Sequence, residues 1–247
     1  MIESQNANIK LSGKKAVVTG ATRGIGSAIA RQLNLLGAHV IGTGTTKSVD
    51  ITTQSFDEYL QADFTDLESI QKCAKNVQQI EPDILINNAG INKINPFTEI
   101  SLDEFRLIQQ VNVTAPFALC QAAIPAMKIK HWGRIVNISS IWGKVSKEFR
   151  TSYSTSKFAL DGMTLAIAAE YTENGILANC IAPGFTNTEL TRKVLGEERI
   201  EQIKNSIPIK RMANVDEIAC FVAWLASPIN TYITGQNIAI DGGFTRV

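Results

Sequence analysis

The sequence predicts a doubly wound parallel α/β sheet, and three observations carry that prediction. Short β-branched runs alternate with helical stretches, the runs are apolar almost without interruption, and the unusual residues fall in the segments just after them. Alternation implies parallel strands joined by right-handed crossovers. Continuous apolarity is what strands covered by helices on both faces require. Ligands of such sheets bind beyond the carboxyl ends of the strands, where the unusual residues lie.

The elements follow in order. After a polar N-terminal extension over residues 1–10, AVVTG forms a strand and runs into a helix near Gly24–Leu36. HVIGT and then a short helix come next, and LQADFTD carries a third strand ending at Asp63. DILINNAG precedes a long helix from about Ser101, RIVNISS precedes a helix near Ser152–Tyr171, and ILANCIAPG precedes a further helical segment. Residues 189–211 form a polar, helix-prone excursion, either a cover over bound ligand or a surface helix. Within 247 residues nothing repeats and no linker-like stretch appears, so one domain over 1–247 is expected.

Composition removes several classes of function. A hydrophobic share of 45% against 19% charged residues is incompatible with a disordered chain. Lys+Arg 24 against Asp+Glu 23 leaves a net charge of +1, which gives no global field for nucleic acid or an anionic membrane. No apolar run reaches the roughly 20 residues of a bilayer span, and MIESQNANIKLSGKK lacks the apolar centre of a signal peptide, so a soluble, cytoplasmic protein is expected. Cys73, Cys120, Cys180 and Cys220 form no CxxC pair and read as small buried side chains. His39 and His131 stand far apart, outside any ligand-spaced cluster, so neither a metal site nor a histidine triad is expected.

The first strand runs into Gly20, Ala21, Thr22, Arg23, Gly24, Ile25 and Gly26. Glycines at 20, 24 and 26 permit a tight turn, close approach of backbone to a pyrophosphate, and packing of helix on strand; the helix N-terminus offers N–H donors to the anion. In dinucleotide (Rossmann) folds an acid ending the second strand holds the adenosine ribose hydroxyls and repels a 2′-phosphate. Here Thr43 and Thr45 stand in that segment and Arg23 is expected close by, which favours NADP(H) while leaving NAD(H) open. Thr43 as a plain β-former and Arg23 as a solvated loop charge are the structural alternatives. Asp63, followed by Phe64, either accepts from the adenine amino group or caps the next helix. Asn87, Asn88, Ala89 and Gly90 end the fourth strand, where small residues let a cofactor lie against the backbone.

Tyr153 and Lys157 are spaced i,i+4, on one helix face a turn apart, and Ser139 and Ser140 close the strand before them. A hydroxyl and a phenol therefore converge at one sheet edge. TGATRGIG, NNAG, the Asn in VNVTAPF, the Ser in NISS, YSTSK and IAPGFTNT, in that order, resemble the motif set of the short-chain dehydrogenase/reductase family over nearly the whole chain. The resemblance implies a seven-stranded sheet and catalytic roles for Asn112, Ser140, Tyr153 and Lys157. Ser140 is preferred because it stands thirteen residues before Tyr153, the family separation, which leaves Ser139 a structural role. It further implies that Pro183, Gly184, Phe185, Thr186 and Thr188 face the carboxamide and pyrophosphate, and that Asn112 kinks its helix and binds a water on the proton path from Lys157.

A phenol with a reference pKa near 10 is a poor proton donor or acceptor at neutral pH, but an adjacent ammonium and a cationic nicotinamide stabilise the phenolate. Tyr153 then serves as general acid in ketone reduction or base in alcohol oxidation, and Ser140 hydrogen-bonds the substrate oxygen. Hydride transfer belongs to the cofactor.

VIGTGTT, HWGRIVNISS, IAPGF, YITGQ and DGGFTRV resemble the 3-oxoacyl-[acyl-carrier-protein] reductases within the family. That likeness implies a 3-oxoacyl thioester substrate on an acyl carrier protein, and a homotetramer. Yet His131 and Asn174 stand where those enzymes carry arginines for the carrier, with Lys128 and Lys130 as partial substitutes. NPFTEISLDEF looks like the sugar and polyol dehydrogenases, and Lys144, Lys147 and Arg150 near the site mouth read either as a clamp for an anionic substrate or as a solvated loop. Trp142 and Phe185 form an apolar wall or belong to the core. The expectation is an NADP(H)-dependent reductase of a small ketone, with a keto-sugar dehydrogenase as the alternative and a non-catalytic dinucleotide sensor as a distant one.

Overall fold

The computed structural model describes residues 9–247, without the side chains of residues 189–190 and 192–198; most of the polar N-terminal extension lies outside it. The strands are β1 (Lys15–Val18), β2 (His39–Gly44), β3 (Glu58–Gln61), β4 (Ile84–Asn87), β5 (Gly133–Ile138), β6 (Ile176–Pro183) and β7 (Asn237–Ile240). The helices are α1 (Gly24–Leu35), α2 (Leu67–Ile80), α3 (Leu102–Gln109), α4 (Ala115–Ile129), α5 (Thr151–Tyr171), α6 (Glu189–Ser206) and α7 (Val215–Leu225). All strand pairings are parallel, in the order β3-β2-β1-β4-β5-β6-β7. The strand order reverses between β1 and β4, so the loops after them open a crevice there.

The core is two apolar layers, one on each sheet face. Ala16, Val18, Val40, Ile84, Ile86 and Val136 turn toward Ile29 and Leu33 of α1 and Ile218 and Val222 of α7. Val17, Ile41, Leu85 and Ile135 turn toward Ile70 and Val77 of α2, Leu119 and Met127 of α4, and Ile167 of α5. Neighbouring residues of one strand thus feed opposite layers, the reason the strands read as unbroken apolar runs.

Two local features bear on the site. The helix expected from Ser101 divides into α3 and α4 at a π turn over Gln110–Thr114, the interruption implied at Asn112. The short helix expected after β2 is a single 3₁₀ turn, Ile51–Thr53, and buried Phe56 covers Gly42. The cysteines also divide: Cys73, Cys120 and Cys180 are buried, whereas Cys220 is exposed on α7. No helix among the described residues is long and apolar enough to cross a membrane.

Candidate active site

The glycine turn after β1 is built for a close-lying anion. Gly20 and Gly24 adopt φ of 64° and 56°, a region costly for residues with a Cβ. A Cβ on Gly26 would stand 2.2 Å from the Gly20 carbonyl oxygen, so the turn folds directly beneath the start of α1. Helix α1 carries no acid in its first turn, leaving its N-terminal N–H groups to an anion. Asn88 secures the turn from β4: its Nδ2 donates to the carbonyls of Thr19 at 2.8 Å and Gly20 at 3.3 Å, and the Thr19 hydroxyl accepts from Asn88 and Ala89 N–H groups.

Thr43 is buried and its Oγ1 accepts from the Gly20 N–H at 3.3 Å; it props the turn from below. Thr22 packs so close to Gly44 that a Cβ there would stand 2.9 Å from the Thr22 Cγ2. This contact brings exposed Arg23, the residue preceding α1, close to exposed Thr45 just past the end of β2. No carboxylate occupies residues 43–47, and the Arg23 cation suits a ribose 2′-phosphate. Asp63 turns its carboxylate onto the N–H and hydroxyl of Thr65, at 3.0 and 2.7 Å. Buried Phe64 offers its carbonyl to Gln110 Nε2, tying this loop to the π turn.

The π turn exists because Asn112 is pinned. Its Oδ1 accepts from Ile91 N–H and its Nδ2 donates to Ile91 O and to Ser156 Oγ, each at 2.9 Å. Ser156 in turn donates to the Tyr153 carbonyl at 2.7 Å. Asn112, fully buried, thus joins the loop after β4 to the first turns of α5; Ser156 was not singled out from sequence, since a serine inside YSTSK carries no signal of its own. A Cβ on Gly90 would lie 3.3 Å from Asn112 Oδ1 and 3.5 Å from Lys157 Nζ, so three motifs meet at one point.

The two serines are separated by geometry. Ser139 Oγ donates to the Lys157 carbonyl at 3.1 Å and anchors α5, whereas Ser140 Oγ accepts from Trp142 N–H at 3.2 Å and hydrogen-bonds the Tyr153 phenol. Lys157 is buried, donates to Ile138 O at 2.8 Å and stands 5.5 Å from the Tyr153 ring centre. Desolvation pushes the Lys157 ammonium down to about 8. The Tyr153 phenol lies above its ordinary value: desolvation raises it and outweighs the Ser140 hydrogen bond and the Arg150 charge, both of which lower it. In the chain by itself, desolvation of the phenolate thus dominates the Tyr153 environment. A neutral phenol is the form that a general acid needs.

The loop cations diverge. Lys144 Nζ donates to the Asn237 carbonyl at 2.7 Å, and Lys147 pairs with Glu148 at 3.8 Å. Half-buried Arg150 opens α5 one turn before Tyr153, its charge felt by Tyr153 and Arg199; desolvation chiefly, and then Arg199, lowers its pKa. Trp142 and Phe185 come together edge to face, ring centres 6.1 Å apart. Pro183 ends β6, Gly184 N–H donates to Ile240 O, Thr186 bridges to Ala213, and Thr188 caps α6 facing Gly24. Far from this crevice, the His131 carbonyl packs against Gly175 beside Asn174, while Lys130 is held by Glu81 O at 2.6 Å and Asp83 at 3.3 Å.

A family model described as enoyl-(acyl carrier protein) reductase matches residues 20–245. A curated relative, 3-oxoacyl-[acyl-carrier-protein] reductase FabG of Aquifex aeolicus, is 38% identical over 245 residues, 95% of this chain and 98% of that one. A solved short chain dehydrogenase/reductase family protein is 32% identical with a TM-score of 0.88, covering 96% of this chain and 100% of the other. A gluconate 5-dehydrogenase of Burkholderia cenocepacia, solved with NADP and tartrate, is 27% identical with a TM-score of 0.88, over 96% and 97% of the two chains. With the glycine turn, pinned asparagine, serine, tyrosine and lysine at one sheet edge, these likenesses establish that the chain belongs to the short-chain dehydrogenase/reductase family.

Proposed function

We propose that the protein is an NADP(H)-dependent reductase that converts the ketone of a 3-oxoacyl thioester, carried on acyl carrier protein, to a secondary alcohol. The observation that carries this reading is the convergence of Ser140, Tyr153 and Lys157 with Asn112 behind them. Full-length likeness to the 3-oxoacyl reductase of Aquifex aeolicus supports the substrate class, and the acid-free end of β2 beside Arg23 supports the 2′-phosphorylated cofactor. Residues 20–26, Asn88–Gly90 and the loop after β6 would hold the dinucleotide, which when bound supplies the hydride. Ser140 donates to the substrate oxygen as negative charge gathers there, and Tyr153 Oη–H gives that oxygen its proton. Lys157 stands a turn away as the cation that supports the resulting phenolate. The enzyme works in the cytoplasm as a homotetramer, using exposed Phe117 of α4 and Phe158 and Leu165 of α5 as one contact face.

A second reading, reduction of a keto-sugar acid, is favoured by Arg150, whose charge lies beside Tyr153 at the site mouth, and by likeness to the gluconate dehydrogenase. NADPH consumption with acetoacetyl thioesters and with keto-gluconates, at matched concentrations, separates the two. In the same assay Tyr153→Phe abolishes turnover on the true substrate while NADPH fluorescence still reports binding. Substantial residual kcat in that variant rules out the assigned proton donor.

A further inference from the structure

We propose that the C-terminal tail is a working wall of the active site: Phe244, with Trp142 and Phe185, restricts the substituent on the Ser140 side of the reacting carbonyl to a short chain. For the identity of that substituent the inference rests on the 3-oxoacyl reading. Trp142 lies two residues beyond Ser140 and its main-chain N–H donates to Ser140 Oγ, which ties its backbone to the hydroxyl that receives the substrate oxygen, while its ring is held by Phe185 and Phe244. Phe185 follows the end of β6, the next strand of the sheet. Phe244 comes from beyond β7, sixty residues later in the chain than the loop it meets.

The three rings close a triangle. Their centres are 6.1, 6.0 and 5.3 Å apart and every pair meets edge to face, at 82°, 88° and 86°. Moving one ring breaks two such contacts, each worth about 0.5–1.5 kcal/mol beyond its buried area, so the wall resists displacement by an incoming chain. Trp142 is buried behind, whereas Phe185 and Phe244 are half-buried and keep surface free for a ligand.

Phe244 is held by the turn around it. Asp241 accepts from the N–H of Gly243 at 2.9 Å and from the N–H and hydroxyl of Thr245 at 2.9 and 2.7 Å, clamping the residues on either side. Gly184 lets this turn lie flush against the loop after β6, since a Cβ there would be 2.8 Å from Asp241 Cα. Asp241 is accordingly a positioning residue that acts through Phe244.

The test uses the full-length enzyme, NADPH oxidation, and two homologous series: 3-oxobutanoyl, 3-oxohexanoyl and 3-oxooctanoyl thioesters of N-acetylcysteamine, and the symmetric diketones 2,3-butanedione, 3,4-hexanedione and 4,5-octanedione, in which whichever carbonyl reacts carries the lengthened chain. One misfit methylene changes kcat/KM by about 10-fold or more, so the wild type falls at least that much at each step of chain length. Phe244→Ala flattens the series and Asp241→Asn flattens it in part, read as the ratio of kcat/KM between the shortest and the longest substrate. Phe244→Leu, which removes the ring but keeps the tail apolar, does the same if the alanine variant does not fold. A flat wild-type series, or a folded Phe244 variant with an unchanged length profile, overturns the proposal. Turnover of diketones but of no thioester sinks the 3-oxoacyl reading while the diketone profile still decides the wall; turnover of neither overturns both.

Discussion

Replacing Lys157 by Met is expected to make the protein more stable at pH 7 while destroying its activity. Burial moves the Lys157 ammonium from its ordinary 10.5 to about 8, so the folded chain pays to hold the charge. That difference corresponds to roughly 3 kcal/mol, and losing the 2.8 Å bond to Ile138 O returns about 1 of it, leaving a net gain near 2 kcal/mol. For a chain of this size the gain is about 4–8 °C in Tm. The sign follows from proton counts. Between pH 8 and 10.5 the unfolded chain holds more protons on this lysine than the folded one, so wild-type stability rises with pH across that window. The cost is fully present below pH 8 and gone above 10.5, and the advantage of the methionine variant must fade over the same range. Thermal melts of both proteins without cofactor, at fixed concentration from pH 7 to 10.5, read this directly. A variant no more stable than wild type at pH 7, or a difference that ignores pH, refutes the account of Lys157 as a cation held against its solvation.

Two further expectations are simpler. Arg23→Ala removes the cation nearest the expected 2′-phosphate; a charge-assisted bond of about 1.5–3 kcal/mol implies a 10- to 150-fold loss of kcat/KM for NADPH with NADH little changed, and equal losses for both cofactors contradict the assignment. Gly143→Ala would place a Cβ 2.6 Å from Ser139 Oγ and 2.8 Å from Lys157 O, so it lowers stability by about 1–3 kcal/mol and displaces Ser140; an unchanged Tm and kcat exclude that tight packing.

The Tyr153–Lys157 spacing and Ser140 were legible because each depends on residue type and local geometry. The kink at Asn112 was implied by the family motif, but its partners were not: a helical asparagine names none, and Ile91 and Ser156 reach it only when the loop after β4 and α5 pack side by side. Residue type leaves Thr43 either facing the cofactor or a plain β-former; its hydroxyl turns inward to Gly20, since buried β2 lies directly beneath the glycine turn. For Lys144 the sequence leaves a substrate clamp and a solvated loop charge open; the start of β7 lies within its reach and accepts its hydrogen bond.

The sheet class, the glycine turn, the family motifs and the acid-free end of β2 are written into the chain locally, because strand apolarity, helical spacing and glycine placement act over a few residues. The partners of Asn112, the desolvation of Tyr153 and Lys157 and the meeting of Trp142, Phe185 and Phe244 arise only on folding. Those depend on burial and on contacts between segments up to about a hundred residues apart, which exist only once the two layers have closed on the sheet.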